Sequence, residues 1–229
     1  MTGPWRTIAE MQTRDLLRRR AALLLMAALP LSWYAAEAAS GVDYAVGTGV
    51  LGMAWSAAAA PLFAVLGARN VDQRLVQNGY RPSDIVKGRL TALLSISTVM
   101  ALLFGVIMVA GSRPPRPADL FLALLLTTLI STPVGWLIAA LVPRELEGTL
   151  LLIALVGLQI SIPVGGPDWL VPYWAPLRLT DYTREPIGAL LPTLHAIGWS
   201  VLIGAIAITV WRRRVVIHPP TPEPATASH

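Results

Sequence analysis

Six apolar stretches separated by short polar connections organise the chain, at about 21–39, 44–67, 90–110, 119–142, 147–162 and 187–211. Apolar runs of 18 or more residues predict helices that cross a bilayer. At 1.5 Å per residue the first, which contains Pro30, reaches roughly 28 Å and just suffices, whereas the fifth reaches roughly 24 Å and is short. Ahead of them, Trp5, Ile8, Ala9, Gln12 and Leu16 fall near helical spacing, with Arg6, Glu10, Arg14 and Arg18 on other faces. That pattern predicts an amphipathic helix in the interface plane, with a disordered basic tail as the alternative. The expected fold is an all-α integral membrane protein: six transmembrane helices, an N-terminal interfacial helix and a re-entrant segment before the last span. The division is 1–20, then 21–211 as the transmembrane domain, then 212–229 as a disordered Pro-rich tail.

Two connections carry more structure than a link needs. In 68–89, Asn70 is a candidate N-cap and Asn78-Gly79 a candidate stop, which frames a short helix at 71–77. Ser83 is a candidate cap for a second helix that runs into the third span. In 163–186 five prolines accompany Trp169, Tyr173 and Trp174, which suit a membrane interface. This segment reads as backbone dipping back into the membrane, which must be buried in protein or line water. A plain external loop is the alternative.

Charge sets the orientation. Of the 18 basic residues, 14 fall on one side of the six spans and four on the other: Arg113, Arg116, Arg178 and Arg184. Basic residues stay inside, so both termini and residues 68–89 are expected in the cytoplasm. The net charge of +5 is thereby absorbed by the membrane and calls for no nucleic acid. No small-residue cleavage site follows a short apolar core near the N-terminus, so the first span is expected to persist. The chain has no cysteine, which excludes disulfides and thiol chemistry.

Catalytic and phosphate-binding signatures are missing. There is no phosphate-binding loop, no zinc-protease motif and no serine nucleophile turn. His195 reads as a packed, hydrogen-bonded residue. Glu37 lies near the outer end of the first span, and the midplane of the spans holds no charge of the kind an ion-coupled carrier uses. Gln159 is the most polar group of the fifth span and suits a bond to a neighbouring helix or a cavity wall. Glu145 and Glu147 suit a helix N-terminus. Gly52, Ser56 and Ala60, and likewise Ala196, Ser200 and Gly204, form rows of small residues. Such rows mark close helix packing, within the chain or between subunits.

Taken in order, these features resemble a type-2 ABC transporter permease, the membrane half of one class of ABC exporters. The matching features are the interfacial helix, the six spans, the basic loop after the second span and the Pro/aromatic segment before the last. Lys87-Gly88 stands near the family's usual Gly-Lys, Arg69-Asn70 replaces its Arg-Glu pair, and Arg81-Pro82 takes the place of a displaced Thr-Pro. The resemblance implies a second permease copy, identical or not, and separate ATPase subunits that hold ATP and Mg, so that no cofactor sits on this chain. It also implies that 68–89 holds a coupling helix, with Val71, Asp72, Arg74, Leu75 and Val76 as docking residues. Val71 and Leu75 are one turn apart and suit an apolar groove, with Asp72 and Arg74 on its rim. The implied pathway follows the second and fifth spans, with Met53, Trp55, Phe63 and Gln159 as candidates, although core packing accounts equally well for the apolar ones. The alternative function is a membrane scaffold or accessory subunit that transports nothing.

Overall fold

The computed structural model describes residues 3–39, 42–161 and 168–217. Among them every regular element is helical: α1 (Pro4–Arg18), α2 (Arg20–Ala36), α3 (Val42–Gly67), α4 (Arg69–Gln77), α5 (Pro82–Ser112), α6 (Pro117–Leu141), α7 (Glu145–Ser161), α8 (Trp174–Thr180) and α9 (Leu190–Ile217), with a 3-10 turn at Asp168–Leu170. Four helices, α3, α5, α6 and α9, are long and apolar enough to cross a membrane. The stretches of the two remaining expected spans form the helices α2 and α7, each of 17 residues. Each is about 26 Å long, short of the roughly 30 Å hydrocarbon core, and α2 opens on Arg20. The tail from 218 and the start of the Pro/aromatic segment, 163–167, lie outside the described residues.

Two expected caps are corrected. Helix α4 begins at Arg69 behind Ala68, so Asn70 lies inside it, and no side chain caps its start. The expected helix at Ser83 and the third span are one helix of 31 residues, α5, which starts at Pro82 after the extended Arg81. Proline at the first helical position loses no needed donor and arrives with a helical φ. At about 46 Å, α5 is longer than the hydrocarbon core is thick. The expected stop at Asn78-Gly79 holds. Gly79 has φ +87, a left-handed conformation that glycine adopts without steric cost, and Asn78 Nδ2 donates to Arg74 O at 2.8 Å.

Helices α3 and α6 form the centre and are mostly buried, while most of α9 is exposed. They touch backbone to backbone at Gly135, where a Cβ atom would lie 1.9 Å from Ala58 O and 2.7 Å from Pro61 Cγ. Helix α2 flanks α3, α9 flanks α6, and α5 packs against α6 and α1. The outer faces carry exposed apolar side chains, such as Val99 and Leu103 on α5, Leu150 and Leu158 on α7, and Leu194 and Val201 on α9. Hydrocarbon is the medium in which such faces are at rest.

The small-residue rows explain how proline survives inside these helices. Pro30 has no N–H, so Met26 O loses its helical donor. Ser56 Oγ of α3 donates to that carbonyl at 2.6 Å. Pro133 in α6 frees Leu129 O in the same way, and Ser200 Oγ of α9 donates to it at 2.9 Å. Gly52, one turn before Ser56, brings α3 so close that a Cβ would lie 2.8 Å from Pro30 Cα. Both rows therefore pack within the chain, each delivering a hydroxyl to a carbonyl that proline has orphaned.

Candidate functional site

Helix α4 sits outside the candidate spans and is fastened at two points in its N-terminal half. Asp72 is fully buried, and Arg89 of α5 donates to it twice: Nε to Oδ1 at 3.1 Å and Nη2 to Oδ1 at 2.5 Å. Arg89 Nη1 donates to Gln12 Oε1 of α1, so one guanidinium joins three helices. Burial pushes the Asp72 carboxyl above its ordinary value, while the Arg89 charge and hydrogen bonds and the Trp211 indole N–H of α9 oppose the rise. Asp72 Oδ2 and Trp211 Nε1 are each buried without a hydrogen-bond partner among the described residues.

The second fastening is at Arg69. Its Nη2 donates to Ala139 O at 2.6 Å and to Val142 O, and its Nη1 to Pro143 O at 3.3 Å. Arg214 from the end of α9 donates to Leu141 O at 2.8 Å. The last carbonyls of a helix lack internal partners and carry partial negative charge, so two guanidinium groups satisfy the end of α6. Burial, and then the nearby Arg214 charge, lower the Arg69 pKa.

The docking residues divide between two faces. Val71 is 48 % exposed and Arg74 is exposed, whereas Leu75 and Val76 are half-buried and pack against the chain's own core. Asp72, expected on a rim, points inward; this is corrected, because the α4 face that meets α9 and α5 is the one that carries it. Arg89 and Trp211 were not singled out from the sequence, and Gln12 was placed only on one face of the N-terminal helix. A signal for two of them exists: Gln12 interrupts the buried row Ile8, Gln12, Leu16, and Arg89 interrupts Ile85, Arg89, Leu93.

The pathway candidates also divide. Met53 belongs to the core, in a buried cluster with Val50, Ala57, Phe104 and Met108. That burial fits the core-packing alternative for Met53, since α3 is enclosed by its neighbours at that level. Trp55 is half-buried, Phe63 is 40 % exposed, and Gln159 is buried with Oε1 unpartnered.

At the opposite end, the connection between α7 and α9 folds against α6. Tyr173 is buried, and its hydroxyl lies 2.9 Å from Ser131 Oγ, beyond the midpoint of α6. Seven residues of α8 later, Asp181 O accepts from Arg116 Nη2 at 3.2 Å, beside the start of α6. His195 Nε2 lies 2.8 Å from Trp169 O, and its ring packs by Trp174 and Trp199.

Among curated proteins no relative matches the chain. The family model for the ABC-2 type transporter matches residues 11–162, from within α1 to the end of α7, a range that contains Gln12, Arg69, Asp72 and Arg89. With its apolar helices, that match decides the class: the chain belongs to the ABC-2 type transporter family, as a multi-pass membrane permease component.

Proposed function

We propose that the chain is the permease subunit of an ATP-driven exporter. It works as a dimer with a second permease copy in the cell membrane and is coupled through α4 to a separate ATPase subunit that holds ATP and Mg. The observation that carries this reading is α4 itself. It is a nine-residue helix outside the spans, bound to the bundle by a buried ion pair and by Arg69, yet presenting Val71 and Arg74 outward. A helix held so firmly transmits force applied to its free face. Val71 serves as the apolar anchor and Arg74 as a rim charge, since buried apolar groups carry most of an interface's energy.

The basic distribution supports cytoplasmic termini and a cytoplasmic α4. In that orientation α2 and α7 complete six spans by local thinning of the bilayer and snorkelling of flanking residues, and α1 lies at the interface against α5. The reach of Tyr173 to Ser131 supports a re-entrant path for α8, at the depth of the spans rather than above them. Phe63 of α3 and Gln159 of α7 mark the two helices that line the pathway between subunits, with Trp55 behind Phe63.

The test is recovery of a P-loop ATPase with the tagged chain purified from its own cells. Val71→Asp should lose that ATPase while insertion and thermal stability stay at wild-type values, and Arg74→Ala should lose less. A wild-type chain that retains no ATPase, or a Val71→Asp chain that retains all of it, refutes docking at α4.

A further inference from the structure

We propose that Arg89 is a positioning residue: by holding Asp72 of α4 and Gln12 of α1 at once, it makes α1, α4 and the first turns of α5 move as one body. Its place in transport rests on the reading that α4 receives the ATPase.

Three observations carry the proposal. Arg89, Asp72 and Gln12 are all buried, so solvent does not compete for their bonds. The guanidinium spends Nε and Nη2 on Asp72 and Nη1 on Gln12, a division that needs a planar fork and that a lysine cannot reproduce. Beside Arg89 there is no slack between α1 and α5: a Cβ at Gly88 would lie 2.6 Å from Trp5 O. Helix α1 is thus seated on α5 by backbone contact, and Arg89 adds α4 to the pair.

The ion pair is poorly suited to stability alone. Desolvation of two charges offsets most of their attraction, and apolar residues of similar volume often serve as well or better. Direction is what the charged version adds. Asp72 Oδ1 is committed to Arg89, and α4 also packs against α9, which carries Trp211. The Trp211 ring stands edge-on to Trp136 of α6, with centroids 6.0 Å apart, one turn beyond Pro133. A displacement of α4 therefore meets α1 and α5 through Arg89, and α9 and α6 through Trp211.

The experiment uses the cysteine-free full chain in phosphatidylcholine/phosphatidylglycerol nanodiscs, with spin labels on exposed positions. Arg74→Cys with Met11→Cys reports α4 against α1, and Phe63→Cys with Leu141→Cys reports the central bundle. The expected wild-type result is one narrow distance for each pair. Arg89→Lys should lose the narrow α4–α1 distance and keep the bundle distance. Asp72→Leu combined with Arg89→Met restores apolar packing and should fold, yet still lose the α4–α1 distance. A narrow α4–α1 distance in either variant overturns the proposal. In the ATPase complex, Arg89→Lys should retain the ATPase subunit but reduce the permease's effect on ATP hydrolysis by about fivefold or more. Undiminished coupling there overturns the role in transport. If the wild-type chain binds no ATPase, the docking reading fails, and the distances still decide whether Arg89 joins the helices.

Discussion

Removing the Ser56 hydroxyl tests whether the small-residue row is there to repair Pro30. In the wild type Ser56→Ala deletes the donor to Met26 O, a bond of 2.6 Å between buried residues. A buried acceptor left without a partner costs about 1–3 kcal/mol. Side-chain hydrogen bonds between transmembrane helices measure lower, about 0.6 kcal/mol on average and about 1.7 at most, because the unfolded chain in the membrane finds partners too. Here the backbone cannot rescue the carbonyl, since residue 30 has no N–H, so the expected cost is about 1.5 kcal/mol, at the upper end of that range. In a Pro30→Ala background the new N–H bonds Met26 O itself, and Ser56→Ala should then cost less than about 0.5 kcal/mol. The predicted coupling is therefore about 1 kcal/mol, within the range found for residues in direct contact. Reversible SDS unfolding in mixed micelles, followed by far-UV circular dichroism, measures all four corners of the cycle. Equal costs of Ser56→Ala in the two backgrounds would falsify the repair.

Gly135→Ala should reduce folded yield and melting temperature by the upper part of the overpacking range, about 3 kcal/mol, because the new methyl meets Ala58 O at 1.9 Å. Gly198→Ala, whose Cβ meets nothing within 4 Å, is the matched control and should be neutral. Arg89→Met should be more sensitive to pH than the wild type. Burial holds Asp72 above its unfolded value of 3.8, so the folded chain binds the extra proton and stability falls as pH rises through the window between the two values. Loss of Arg89 extends that window upward, so the variant should lose more stability than the wild type does as pH rises above the ordinary carboxylate range. Adding Asp72→Asn should abolish the difference; a pH-independent deficit in the single variant refutes the assignment. For topology, Ser83→Cys should resist an impermeant thiol reagent applied to intact cells while Glu185→Cys reacts, and the reverse pattern inverts the orientation.

The helices and their order were legible in the apolar runs because bilayer thickness imposes a length that a sequence displays directly. The membrane class followed from the same runs, and Asn78-Gly79 announced the end of α4 through local backbone chemistry. Local chemistry did not decide where α4 and α5 begin. Asn70 and Ser83 have capping side chains, but Pro82 and the anchoring of Arg69 on the end of α6 placed the starts elsewhere. The small-residue rows were visible as spacing, yet their purpose was not. That Ser56 serves the carbonyl behind Pro30 is a fact about residues 30 positions apart on two helices, and no window along one helix contains both. The same holds for the candidate site. Val71 and Asp72 are neighbours in sequence and read as one surface, but a helix turns about 100° per residue, so one faces out and the other in. Which face is which depends on where α9 and α5 stand. Arg89 looked like one more positive charge of a cytoplasmic loop. Only the tertiary structure pairs it with Asp72 and Gln12, because a buried charge finds its partner by distance in space, whereas sequence records only distance along the chain.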